Sequence, residues 1–173
     1  MLINLIGSVL ISLITGILIW YSETKSNERQ KKEITGRYSL KANLAYKIVG
    51  MICIIGMILV NVMILNWNEE KKIIAPLVSS MFLIPGILII MFYYNYRVEF
   101  NESRIIVTNW KGTKKIFYWN ELIKIKFISS IKCLYIKSNS KRTLINQDSI
   151  GFINFIEMME LKTDYTTDKL KIR

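Results

Sequence analysis

Residues 2–21 read LINLIGSVLISLITGILIWY, twenty positions without a charge, which is the length an α-helix needs to cross the hydrocarbon core of a bilayer. No basic stretch precedes this run and no small-x-small pattern stands near Trp20 and Tyr21, so it reads as a retained span and not as a cleaved leader. Two further apolar runs follow at 44–67 and 73–94, separated by Asn68-Glu69-Glu70-Lys71-Lys72. A link that short makes them an antiparallel helical hairpin. A backbone in lipid must satisfy its own hydrogen bonds, so these residues can only be helical.

Aromatic rings cluster where the runs end, at Trp20, Tyr21, Tyr46, Trp67, Tyr93, Tyr94 and Tyr96, as expected of side chains that favour the headgroup region. Lys47 is the one charge inside a run and lies close enough to its end to snorkel. A proton- or ion-coupled transporter would need ionisable groups deeper in the spans. Asn61 and Asn66 are accounted for by hydrogen bonding between helices. Ser8, Ser12 and Gly16 recur every fourth residue and form a small-residue stripe for helix packing, within the helical unit or in a homo-oligomer. Pro85-Gly86 removes a backbone donor opposite Met81 and should kink the third run.

Segment 22–43 carries Lys25, Arg29, Lys31, Lys32, Arg37 and Lys41 against three glutamates, whereas the hairpin link has two lysines and two glutamates. The positive-inside rule makes the longer loop cytoplasmic. Three crossings then leave the N-terminus outside and everything beyond residue 96 in the cytoplasm. The expected organisation is a transmembrane region over 1–95, a soluble domain over 96–165 and a tail over 166–173.

From Tyr96 the periodicity shortens to that of strands. Runs at 96–100, 104–109, 114–119, 122–128, 132–137 and 141–146 are separated by turn residues such as Asn101-Glu102-Ser103, Gly112 and Ser138-Asn139-Ser140. In the fourth run Ile123, Ile125 and Phe127 fall on one face and Lys124 and Lys126 on the other, the pattern of a sheet with one wet side. Asp148 or Ser149 is placed to cap a helix ending near Lys162, with Phe152, Ile153, Ile156 and Met159 on one side to cover a core.

Six or seven antiparallel strands closed by one helix is the element order of the pleckstrin-homology-like (PH-like) fold. The stretch Ile116-Phe117-Tyr118-Trp119-Asn120-Glu121-Leu122 resembles the aliphatic, x, x, aromatic, x, acidic, aliphatic signature of bacterial membrane-anchored PH-like domains, a largely uncharacterised family. The turn before Ile105-Ile106-Val107 and the Leu144-Ile145 run feeding the last helix fit the same pattern. The resemblance covers about 96–162. It implies a cytoplasmic β barrel or sandwich with a C-terminal capping helix beside three transmembrane helices, and a binding or scaffolding role. Some members are implied in self-immunity against membrane-active bacteriocins or in envelope stress.

The net charge is +11 and histidine is absent, which removes the usual proton-transfer group near neutral pH and the commonest metal ligand. No phosphate loop, metal-ligand cluster or nucleophile elbow is present, so no catalytic, cofactor-binding or metal-binding residues are expected. Cys53 and Cys133 read as small buried hydrophobes. Basic residues crowd the second half at Lys111, Lys114, Lys115, Lys124, Lys126, Lys132, Lys137, Lys141 and Arg142. Of these, Lys111, Lys114, Lys115, Lys124, Lys126, Lys141 and Arg142 are the candidate contacts for anionic headgroups or a membrane-protein partner. The Asn101-Glu102-Ser103 turn lacks the lysines with which eukaryotic PH domains hold phosphoinositides. The charge is spread over membrane-adjacent loops as well as the domain, so nucleic acid is not an expected partner.

Overall fold

The computed structural model describes residues 37–64 and 73–172 together with Gly16, Ile17, Trp20, Tyr21 and Thr24. The first expected span, with Ser8 and Ser12, falls almost wholly outside the described residues, as do most of segment 22–43, Asn66 and the hairpin link.

Two of the apolar runs are helices, α1 (Leu44–Ile64) and α2 (Ala75–Asn95). Each is long and apolar enough to cross a membrane, with a mean hydropathy above 2 over Leu44–Val62 and Ala75–Asn95. A core helix of a soluble protein would be covered by other elements, yet only 6% of either stretch is buried. Ile55, Ile58, Leu59, Val62, Leu77, Met81 and Ile84 all lie open. An apolar surface of that extent needs a cover other than water.

The two helices meet at a glycine pair. A Cβ on Gly86 would stand 3.1 Å from Cys53 Cβ and 3.3 Å from Gly50 O, and one on Gly50 would stand 2.6 Å from Ile90 Cγ1. Only glycine lets the backbones come this close. Gly16, in contrast, has no described residue within 4 Å of where its Cβ would be. Farther along the pair, Ser79 Oγ donates to Asn61 Oδ1 at 3.1 Å, the interhelical bond expected of that asparagine. Pro85 lies inside α2, which continues without a break to Asn95.

The sheets hold a difference from the loop expected over 22–43. Tyr38–Lys41 is a strand, β1, although it precedes both helices. It pairs antiparallel with β2 (Arg97–Phe100), which follows them, in the register Leu40 opposite Val98. Both ends of the helical pair are thereby fixed at one sheet. Continuing as a meander, β3 (Arg104–Thr108) and β4 (Lys114–Tyr118) complete a four-stranded sheet in the order β1-β2-β3-β4. A single 3₁₀ turn at Trp119–Glu121 leads into β5 (Leu122–Ile128), which with β6 (Cys133–Ser138) and β7 (Arg142–Asn146) makes a three-stranded antiparallel sheet. Helix α3 (Phe152–Lys162) follows, and a short α4 (Thr167–Leu170) closes the described chain.

One core lies between the sheets and α3, built from Leu40, Val98, Phe100, Ile105, Phe117, Ile125, Leu134, Ile136, Ile145, Phe155 and Met159 among others. Trp119 ties its corner. The ring stacks at a tilt on Phe155 with centroids 5.4 Å apart, and Nε1 donates to Asn101 O at 2.8 Å. A bridge between Lys41 and Ile150, with Ile150 N donating to Lys41 O at 2.9 Å, joins β1 to the segment after β7.

Several finer expectations change. Ile123 is 55% exposed, because a register irregularity between Leu122 and Lys124 resets the alternation and turns Leu122 toward the core instead. In α3 the buried stripe is Phe152, Phe155, Ile156 and Met159, with Phe155 taking the place expected for Ile153. Neither Asp148 nor Ser149 caps that helix. Gly151 does so in a left-handed conformation, φ 86°, which turns the chain out of β7 into the helix. The expected tail folds back: Thr167 N donates to Glu160 Oε1 at 2.7 Å, and Leu170 and Ile172 pack on the core. Cys53 and Cys133 are free and only partly buried.

Candidate functional site

Register between β5, β6 and β7 determines what the outer face of the three-stranded sheet presents. Ile128, Cys133 and Asn146 form one cross-strand row; Lys126, Tyr135 and Leu144 form the next; Lys124, Lys137 and Arg142 form the third. Successive rows on one face are two residues apart, so the face grades from apolar to cationic along the strands. Cross-strand neighbours hold their Cβ atoms about 4.5–5.5 Å apart, and like charges placed opposite each other oppose folding. Lys124, Lys137 and Arg142 are such a row, all exposed. Among the described residues no carboxylate pairs with them. On the other sheet Glu99 pairs with Arg97 at 3.1 Å and with Arg37 at 3.5 Å, so the sequence had acids to spend where cations needed neutralising.

The apolar end of this face is roofed by the end of α2 and by the β3–β4 loop. That loop is built around Asn109, whose Oδ1 accepts from Lys111 N and Thr113 N, each at 2.9 Å, with Gly112 at φ 81° completing the turn. It holds Trp110 out with Lys111 Nζ 4.8 Å from the ring centroid. Asn95 Nδ2, at the end of α2, donates to Trp110 O at 2.8 Å. The loop is thereby fastened to the end of α2.

A second junction fastens β7 to both helices. Asn146 N donates to Tyr96 Oη at 3.0 Å, and Asn146 Nδ2 donates to Tyr46 Oη. Phe92 packs between the two tyrosines, stacked on Tyr96 with centroids 4.5 Å apart and tilted against Tyr46 at 5.0 Å. Burial pushes the Tyr96 phenol well above its ordinary value, against the lowering effect of its hydrogen bond with Asn146. It stays neutral. The Cys133 thiol is also raised, by burial and then by the Asp148 charge, so it is no activated nucleophile.

Between roof and sheet lies a groove of about 600 Å³, lined by Phe92, Trp110, Cys133, Tyr135, Leu144 and other side chains, with Lys115 and Arg142 also on its wall. That volume falls in the range of ligand sites. A smaller groove of about 390 Å³ runs beside it along α2, lined by Tyr46, Leu88, Ile89, Phe92, Trp110 and Asn146. Phe92, Trp110 and Asn146 belong to both.

The seven basic residues singled out from the sequence do not form one patch. Lys115, Lys141 and Arg142 come together where the β4 and β7 edges face each other: Lys115 Nζ donates to Arg142 O at 3.0 Å and Lys141 Nζ to Ile116 O at 3.4 Å. These bonds occupy groups on the two sheet edges. Lys124 and Lys126 share the outer face with Arg142. Lys111 stands at the loop tip on Trp110, and Lys114 points away from Lys115 as strand alternation requires. Lys137 becomes the centre of the cationic row, and Trp110 the roof of the groove. Neither role has a local signal, since both depend on hairpin register. Compared with known proteins, the chain matches no family model, no curated protein and no solved structure.

Proposed function

We propose that this chain is an integral membrane protein whose strand-rich part is a cytoplasmic PH-like binding module, working by holding the outer face of its three-stranded sheet against the anionic inner leaflet. The observation that carries the reading is the Lys124, Lys137 and Arg142 row, three cations in cross-strand register that pair with no carboxylate among the described residues. Anionic headgroups supply the missing partner, each basic residue near such a surface contributing about 1 kcal/mol.

Among the described residues, seven strands arranged as four and three, followed by the three-turn helix α3, support the PH-like assignment. In this reading the helical pair is an insertion between the first and second strands of that fold. The loop charges support the cytoplasmic placement, and the run at 2–21 supplies a third crossing with the N-terminus outside.

The test uses the full chain, because β1 lies outside the segment that follows the helices and a fragment starting at residue 97 would lack Leu40. With Cys53 and Cys133 replaced by alanine, a lone cysteine is introduced as Lys126→Cys and its labelling by a water-soluble maleimide is followed in nanodiscs. The expected result is slow labelling in anionic lipid at 0.1 M salt and fast labelling in zwitterionic lipid. The protection should fade at 1 M salt, where the screening length falls from about 10 Å to about 3 Å. Equal rates in the two lipids would sink the leaflet reading, and in-cell photocrosslinking from the same position would then look for a protein partner.

A further inference from the structure

The two grooves adjoin, with Phe92, Trp110 and Asn146 in the walls of both, and taken together they mark a track. It starts on the side of α2 at Leu88 and Ile89, within a stretch long and apolar enough to span a membrane. It passes beneath Trp110 and ends beside Lys115 and Arg142. Apolar at one end and cationic at the other, it matches an amphiphile with a single anionic head.

We propose that this track is a binding site for one anionic phospholipid, drawn partly out of the bilayer, with an acyl chain along Leu88, Ile89 and Phe92 and its phosphate at Arg142 and Lys115. The inference rests on the membrane placement of α1 and α2 but is separate from broad contact between the sheet face and the leaflet. Three features specify the occupant. The mouth at Leu88 and Ile89 opens from the surface of a membrane-length helix, so the chain can enter without crossing water. Tyr135, Leu144 and Cys133 give the middle an apolar floor. The guanidinium of Arg142, exposed and free of any carboxylate among the described residues, has the planar fork that binds phosphate oxygens in pairs. The roof is fixed before a lipid arrives, because Asn95 and Asn109 hold the Trp110 loop, and a fixed roof lowers the ordering cost of binding.

The experiment is native mass spectrometry of the full-length protein released from detergent, after exchange into micelles carrying phosphatidylglycerol, phosphatidylcholine, or inorganic phosphate without lipid. One retained phosphatidylglycerol per chain is expected, with about tenfold less retention of phosphatidylcholine, whose phosphate is alike but whose choline cation is repelled by Lys115 and Arg142. Arg142→Gln should reduce phosphatidylglycerol retention about tenfold and bring it to the level of phosphatidylcholine. Leu144→Trp should abolish retention of both lipids by filling the floor; Leu144 is 42% exposed, so the larger ring does not enter the core. Equal retention of the two lipids, loss of neither on Leu144→Trp, or adducts of phosphate alone would each overturn the proposal.

The leaflet reading fails separately. Lys124→Gln with Lys137→Gln should weaken the salt-dependent protection in anionic nanodiscs while leaving the single retained lipid in place, and Leu144→Trp should do the reverse.

Discussion

Replacing Leu40 by alanine tests whether a strand that precedes two membrane-length helices is a structural part of the domain that follows them. Leu40 is 0% exposed, sits opposite Val98 in the β1–β2 ladder and belongs to the core shared with Phe100 and Phe155. Truncating a fully enclosed leucine removes transfer free energy and leaves a cavity, together about 3–4 kcal/mol within the usual 2.7–5.0 range. With a urea dependence of about 1.5 kcal/mol per molar for a domain of this size, the midpoint should fall by about 2 M. The assay is proteolysis of the full-length protein in detergent at graded urea, following cleavage within the strands. Leu44→Ala, four residues on and 37% exposed at the start of α1, is the control and should shift the midpoint by less than 0.5 M, about the effect of an ordinary surface change. If Leu40→Ala and Leu44→Ala behave alike, β1 is not part of the core and the discontinuous domain is refuted.

Gly50→Val should force the helical pair apart, since even a Cβ there meets Ile90 Cγ1 at 2.6 Å; a loss of about 1–3 kcal/mol would show as a lower unfolding temperature in detergent. Gly56→Ala, whose new Cβ meets the Phe82 ring at an ordinary contact distance of 3.5 Å, should leave that temperature unchanged. Stability should be full below pH 10, the ordinary tyrosine value, and fall above it, because the unfolded chain ionises Tyr96 while the folded one keeps it neutral. Tyr96→Phe should flatten that alkaline decline in a series of melts from pH 9 to 11. Topology is read by a reagent confined to the outside, which should label Glu69→Cys but not Lys31→Cys or Asn139→Cys.

Much of the architecture is readable along the chain because its causes are local. A helix in lipid needs only an apolar run, and strand edges follow from turn residues such as Asn101 and Gly112. Where a cause is not local, the reading fails in an orderly way. The alternation through Ile123, Ile125 and Phe127 is valid until the irregularity after Leu122, which no single-strand pattern reveals. Phe155 and Ile153 are both apolar, and only the position of Trp119 and Phe100 decides that Phe155 faces inward.

The candidate site divides the same way. Its residue types are visible as a high density of lysines with aromatic residues nearby, but a charge count is blind to neighbours. Lys124, Lys137 and Arg142 lie on three strands and become one row only through two hairpin registers, while Lys111 and Lys114 leave the group.

By itself the sequence determined that long apolar helices precede a strand-rich domain with one terminal helix, since hydrophobic length and period act over a few consecutive residues. Tertiary structure alone decided that Tyr38–Lys41 joins that domain across the helical pair, that Gly50 and Gly86 set the approach of the helices, and that a groove runs from α2 to Arg142. These features depend on contacts between residues far apart in the chain, and such contacts exist only once the sheets have closed around a shared core.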